Sequence, residues 1–115
     1  MMSVTEETVF FDSGPLQLEG RLHRAAGPNA VVLTHPHPLY GGAMDNPVVT
    51  ALARVYQRLG YSTLRFNFRG VGASEGDYGD GVGERDDARA ATAHLGRLGK
   101  TVTDLAGYSF GAWIG

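Results

Sequence analysis

Gly107-x-Ser109-x-Gly111, directly after the apolar run Val102 to Ala106, has the layout of a serine nucleophile site. A serine hydroxyl attacks well only when it is held out in the open and when a base can take its proton. A sharp strand-to-helix turn meets the first need, because it pushes the side chain out above the edge of a sheet; this is the nucleophile elbow. The glycines at 107 and 111 have a steric reason. Strand and helix come so close at such a turn that a Cβ at either position would collide, and that packing holds the strained serine backbone. Alone, the pattern is weak, since Gly and Ser are common residues. Its meaning depends on what stands around it.

Two further stretches could carry chemistry. His35-Pro36-His37-Pro38-Leu39-Tyr40-Gly41-Gly42 follows a β-branched run, and its alternate prolines forbid helix and ladder pairing alike, so it reads as a rigid loop. Arg69-Gly70-Val71-Gly72-Ala73-Ser74-Glu75-Gly76 follows another apolar run. A dinucleotide reading of Gly70-x-Gly72 fails, because the third glycine, Gly76, comes one residue too late and no helix opens there. A metal reading of His35 and His37 lacks nearby carboxylates. His35 is expected to brace its loop by hydrogen-bonding backbone, His94 to lie solvated on a helix, and His23 to belong to a hairpin. Arg69 is expected as a loop brace rather than a substrate ligand, and Trp113 as a packing residue.

The elements that must position these loops follow from periodicity. Val9-Phe10-Phe11 and Leu16 to Leu22 flank the turn residues Asp12-Ser13-Gly14-Pro15, which predicts an antiparallel hairpin at a sheet edge. Ala30 to Thr34 is a continuous apolar run, the pattern of a strand buried on both faces. Asn46 as N-cap and Pro47 at the first helical position open a helix that Gly60 closes, with Val48, Leu52, Val55 and Leu59 as its apolar stripe, widened by Val49 and Tyr56. Tyr61 to Phe68 is a strand with Leu64, Phe66 and Phe68 on one face. A flexible segment leads to Gly83. Glu84 to Leu98 is a second helix, apolar at Ala88, Ala91, Leu95 and Leu98, with Glu84, Asp86 and Asp87 in its first turn where the dipole favours them. Val102 to Ala106 delivers the elbow, and Ala112-Trp113-Ile114 begins the helix after it. Strand and helix alternate, which implies parallel strands, right-handed crossovers and helices on both faces. Open sheets of this class place their sites at the carboxyl ends of the strands, where the three loops converge.

Taken together, these motifs resemble the α/β-hydrolase superfamily, in particular its dienelactone-hydrolase-like bacterial members with a His-Pro-His-Pro loop. The matching residues stand in the family's order and span nearly the whole chain. The fold implied is an α/β-hydrolase-type, mostly parallel sheet with an N-terminal antiparallel hairpin. The resemblance implies acyl transfer, with Ser109 forming an acyl-enzyme on a small ester, lactone or amide substrate and water releasing it. Two aimed backbone donors would hold the oxyanion. One is the N–H of Phe110, the residue after the nucleophile. The other comes from the loop after Thr34, where Pro36 and Pro38 have no N–H, so His37 leads, with Leu39 or Tyr40 behind it. No organic cofactor or metal is implied.

The family pattern then breaks. In this fold the acid and the histidine follow the serine, yet the six residues after Ser109 include neither. For His37 to serve as base, its ring would have to face Ser109 while its backbone serves the oxyanion. A sheet ending at the elbow strand would also leave a long apolar edge unpaired. The expectation is that residues 1–115 are the N-terminal part of a single α/β-hydrolase domain, inactive by themselves. The alternative is a non-catalytic chain that pairs its open edge with a partner or a second copy.

Bulk properties bound the rest. A chain of 115 residues with net charge −2 is one small domain at most, with no pull towards nucleic acid or an anionic membrane. No run approaches the roughly 18 apolar residues of a membrane span. The acidic start, Met1 to Glu7, lacks the layout of a signal peptide. Without cysteine there is no disulfide framework, thiolate nucleophile or zinc cluster, and the cytoplasm is the default location. Glycine, 17 residues in all, clusters at Gly41-Gly42, Gly70 to Gly83 and Gly107 to Gly115, so it marks turns.

Overall fold

The computed structural model describes residues 5–107. Among them, strands β1 (Glu7–Ser13), β2 (Leu16–His23), β3 (Asn29–Thr34), β4 (Ser62–Phe66) and β5 (Val102–Gly107) form one sheet. Helix α1 (Pro47–Arg58) connects β3 to β4, and α2 (Val82–Arg97) connects β4 to β5. The spatial order is β1-β2-β4-β3-β5. β1 and β2 pair antiparallel, as do β2 and β4, whereas β3 runs parallel to both β4 and β5. The hairpin, the parallel strands and the alternation are those expected from the sequence. The region of Ser109, Phe110, Gly111 and Trp113 lies outside the described residues.

β3 shows why a continuous apolar run was needed. Its side chains alternate between two cores. Ala30 and Val32 join Phe11, Leu18, Leu22, Leu64, Phe66, Phe68, Ala91 and Leu95 under α2, while Val31 and Leu33 join Val49 and Ala53 under α1. The helices therefore cover opposite faces. Phe66 and Phe68 are both fully buried, with ring centroids 5.1 Å apart in an edge-to-face pair. Burial of each such side chain stabilises the fold by about 1.5–3 kcal/mol before entropy is counted.

α1 begins as predicted: Asn46 Oδ1 accepts the Val48 N–H at 2.9 Å, and Gly60 takes φ 87° past the end. Its buried face differs from the expected one. Val49 and Ala53 are buried, with Leu52 and Tyr56 packed beside them, whereas Val48, Val55 and Leu59 are exposed. The apolar positions cover more than one face, so hydrophobicity alone could not choose the contact line.

Candidate active site

The parallel strands bring their carboxyl ends to one edge. Thr34 stands opposite Gly107 in the β3–β5 register, and Thr34 Oγ1 donates to the Ala106 carbonyl at 3.3 Å. The His-Pro loop thus leaves the sheet level with Gly107, the first residue of the Gly-x-Ser-x-Gly motif. Of the sequence-predicted site residues, the structure describes His37 and Gly107 and brings their segments to the same edge. Ser109, Phe110 and Gly111 lie outside the described residues.

His35 is a brace. Its ring is fully buried, Nε2 accepts the Phe68 N–H at 3.0 Å, and Nδ1 lies 2.6 Å from the Pro36 carbonyl. Because Nε2 accepts, the proton sits on Nδ1, which donates to Pro36. The ring ties β3's exit to the chain leaving β4. Burial pushes its pKa down to about 4, with the Pro36 hydrogen bond opposing in part.

His37 takes the opposite tautomer. It heads a single 3-10 turn over Pro38–Tyr40, where its Nδ1 accepts the Leu39 N–H at 3.1 Å. The proton is then on Nε2, which donates to the Tyr78 hydroxyl at 3.1 Å. The lone pair on Nδ1 is already spent on the Leu39 N–H, so His37 acting as base through that nitrogen would require breaking this bond. The Leu39 N–H is likewise spent on this ring. The His37 carbonyl accepts the Gly42 N–H at 3.1 Å and closes the turn.

Gly42 is buried, and a Cβ there would run into the Pro36 carbonyl and come within 2.8 Å of the His37 carbonyl oxygen. Backbone cannot yield as a flexible side chain can. Gly42→Ala is expected to displace the His-Pro loop and to lower stability by about 2 kcal/mol or more. Urea unfolding reads the stability, and the Leu39 amide resonance reads the turn.

The second loop is tied by hydrogen bonds, and so is the segment after it, up to Gly83, that the sequence reads as flexible. Ser74 Oγ accepts the Glu19 N–H at 2.9 Å and donates to the Asn67 carbonyl at 2.6 Å. Glu19 Oε1 takes the Ala73 N–H and the Asn67 amide, at 2.8 and 2.6 Å. Further on, Glu84 reaches back from α2 to hold the N–H groups of Gly79 and Gly81 at 2.9 and 3.0 Å. That clamp fixes a turn in which Asp80 and Gly81 take φ 54° and 90°. Arg69 is a brace, as expected: its guanidinium pairs with buried Asp87 at 2.8 Å, and Asp87 also accepts the Arg69 N–H and the Ser13 hydroxyl.

Sequence reasoning missed Glu84 and Asp87 as network members by assigning them to the helix dipole alone. The signal was available, because both lie on the same helical stripe as Ala88, Ala91 and Leu95, and a buried carboxylate must find partners. Arg65 was missed as well. From the middle of β4 it donates to the Met44 carbonyl at 2.9 Å and pairs with Glu6 and Asp45, tying down the chain before α1. His94 is not simply solvated: it stacks on Phe11 at 5.4 Å, and partial burial lowers its pKa. Among the described residues no three His, Cys, Asp or Glu side chains gather as a metal-ligand set, and no helix is long and apolar enough to cross a membrane.

No protein-family model matches the chain. Among solved structures it is similar to an alpha-beta serine hydrolase homologue from Coxiella burnetii, with a TM-score of 0.89 and 42% identity over 99% of this chain and 57% of that one. The chain has the α/β-hydrolase fold. A member of the a/b serine hydrolases without lid, from Xanthomonas campestris, matches with a TM-score of 0.83 and 33% identity over 99% of this chain and 55% of that one. An uncharacterized protein of Rickettsia prowazekii is 43% identical over 110 residues, 92% of this chain and 46% of that protein. The chain thus spans about half the length of the relatives it matches. Set in an α/β-hydrolase frame, the edge shared by the His-Pro loop and the end of β5 is the edge at which such folds carry their sites.

Proposed function

We propose that the chain carries the nucleophile side of a serine hydrolase, of the dienelactone-hydrolase-like kind with a His-Pro-His-Pro loop. Residues 1–115 form the N-terminal part of one catalytic domain. Ser109 attacks the carbonyl of a small ester, lactone or amide, and water releases the acyl group. The N–H groups of Phe110 and His37 receive the oxyanion. The observation that carries this reading is the β3–β5 register, with Thr34 opposite Gly107, because it brings the His37 turn level with the start of the serine motif. An Asp and a His from outside these residues complete the site.

The residues alone are therefore inactive. The expected result is that residues 1–115 hydrolyse a p-nitrophenyl ester no faster than their Ser109→Ala counterpart. A clear serine-dependent rate would contradict the incomplete triad.

One observation favours a second reading. Among the described residues β5 pairs on one side only, and its Val102 and Leu105 are 50% and 42% exposed. In that reading the chain is a non-catalytic interaction protein that pairs through this edge with a partner or a second copy. The two readings separate at the codon after Gly115: a continuing α/β pattern with an Asp and a later His supports the hydrolase, and a stop codon supports the interaction protein.

A further inference from the structure

We propose that His35 is a positioning residue for the oxyanion site, its ring fixing the orientation of the peptide unit that carries the His37 N–H. This rests on the reading of that N–H as an oxyanion donor. The Pro36 carbonyl and the His37 N–H belong to one planar trans peptide, so they point in opposite directions and can only turn together. His35 Nδ1 donates to this carbonyl at 2.6 Å. Gly42 lies against the same carbonyl so closely that a Cβ there would run into it. Holding the carbonyl on one side of the peptide aims the N–H on the other.

The direction of these bonds is set by partners that each work one way. The Phe68 N–H can only donate, and it reaches Nε2 at 3.0 Å; the Pro36 carbonyl can only accept, and it faces Nδ1. The single proton of the neutral ring therefore stands on Nδ1. Full burial, with a pKa lowered to about 4, keeps the ring neutral at neutral pH. A contiguous path then runs from the chain leaving β4, through the imidazole and the Pro36 carbonyl, to the His37 N–H. Such a chain polarises its members, so the bond at the carbonyl also makes the N–H of that peptide a stronger donor. One ring thus has two separable tasks: Nε2 braces the loop, and Nδ1 aims the peptide. A donor must be aimed before charge develops, so a peptide free to turn slows the chemical step and leaves substrate binding largely intact.

The test uses the product of the whole coding frame and two variants that divide these tasks. His35→Asn keeps an N–H donor where Nδ1 stood but is too short to accept from Phe68. His35→Gln keeps an acceptor where Nε2 stood but leaves the Pro36 carbonyl without its donor. Hydrolysis of a p-nitrophenyl ester at pH 8 is expected to lose about tenfold in kcat in H35Q with KM unchanged, and clearly less in H35N. The His37 amide nitrogen resonance, which senses bonding at the carbonyl of its own peptide, is expected to move in H35Q and to stay near its wild-type position in H35N. In the wild type itself, imidazole nitrogen NMR is expected to show His35 protonated on Nδ1, and a proton on Nε2 overturns the proposal without any variant. An active wild type whose H35Q variant loses no more kcat than H35N overturns the proposal alone, because His35 is then only a brace. A wild type with no Ser109-dependent rate overturns the hydrolase reading and this proposal with it.

Discussion

Asp87→Ala is expected to lower stability by about 3–5 kcal/mol, enough to unfold a marginal domain. Asp87 is fully buried on α2 and meets Arg69 through three nitrogens: the main-chain N–H at 2.9 Å, Nε at 3.2 Å and Nη2 at 2.8 Å. It also accepts the Ser13 hydroxyl at 2.8 Å from the end of β1. One carboxylate thus joins the hairpin, the loop after β4 and the second helix. The guanidinium lies over Gly83, where a Cβ would come within 2.6 Å of Nη1. Removing the carboxylate strands a largely buried cation and a buried hydroxyl together. Replacing a whole buried pair by apolar groups can be harmless; deleting one partner is not. Asp87→Asn keeps the shape and part of the hydrogen bonding, so a smaller loss is expected. Urea unfolding of both variants measures the difference. Equal losses would show that the charge of Asp87 contributes nothing.

Acid is expected to unpick the same edge through His35. Its folded pKa of about 4 lies below the ordinary value of 6.5. Between those values the unfolded chain binds a proton that the folded chain refuses, so stability rises with pH across the window. The stabilisation is fully present above pH 6.5 and is lost as pH falls towards 4, amounting to about 3 kcal/mol. The cause is geometric as well as electrostatic: a protonated Nε2 would confront the Phe68 N–H that it now accepts. His94, whose pKa is also lowered, adds a contribution of the same sign. His35→Asn is expected to be less stable at neutral pH and to show a much shallower fall between pH 6.5 and 4. A variant whose pH dependence matches the wild type would sink the assignment.

The strand and helix pattern was legible because each element carries local punctuation. Asn46-Pro47 and Gly60 frame α1, Gly14-Pro15 turns the hairpin, and an unbroken apolar β3 announces burial on both faces. The brace roles of His35 and Arg69 were legible from their neighbours, since a rigid proline loop and a glycine-rich loop both need anchoring. What escaped notice depends on long-range geometry. Which residues of α1 face the sheet depends on packing against β3, where Val49 and Ala53 meet Val31 and Leu33. The loop before α2 is held by Glu19 and Asp87, whose partners lie 54 and 18 residues away, whereas Glu84 reaches only five residues back, a local contact at the helix start. The link from Tyr78 to His37 spans 41 residues and joins two loops with no shared periodicity.

The proposed function makes Ser109 the nucleophile of a hydrolase whose base and acid lie outside these residues. It is tested most directly by treating the product of the whole coding frame with a fluorophosphonate and mapping the adduct by mass spectrometry. Such a reagent captures a serine only where a base and an oxyanion site activate it. The predicted result is one adduct, on Ser109, absent from Ser109→Ala and absent when residues 1–115 are treated alone. An unlabelled Ser109 in the whole product, or a label on another residue, would contradict the account.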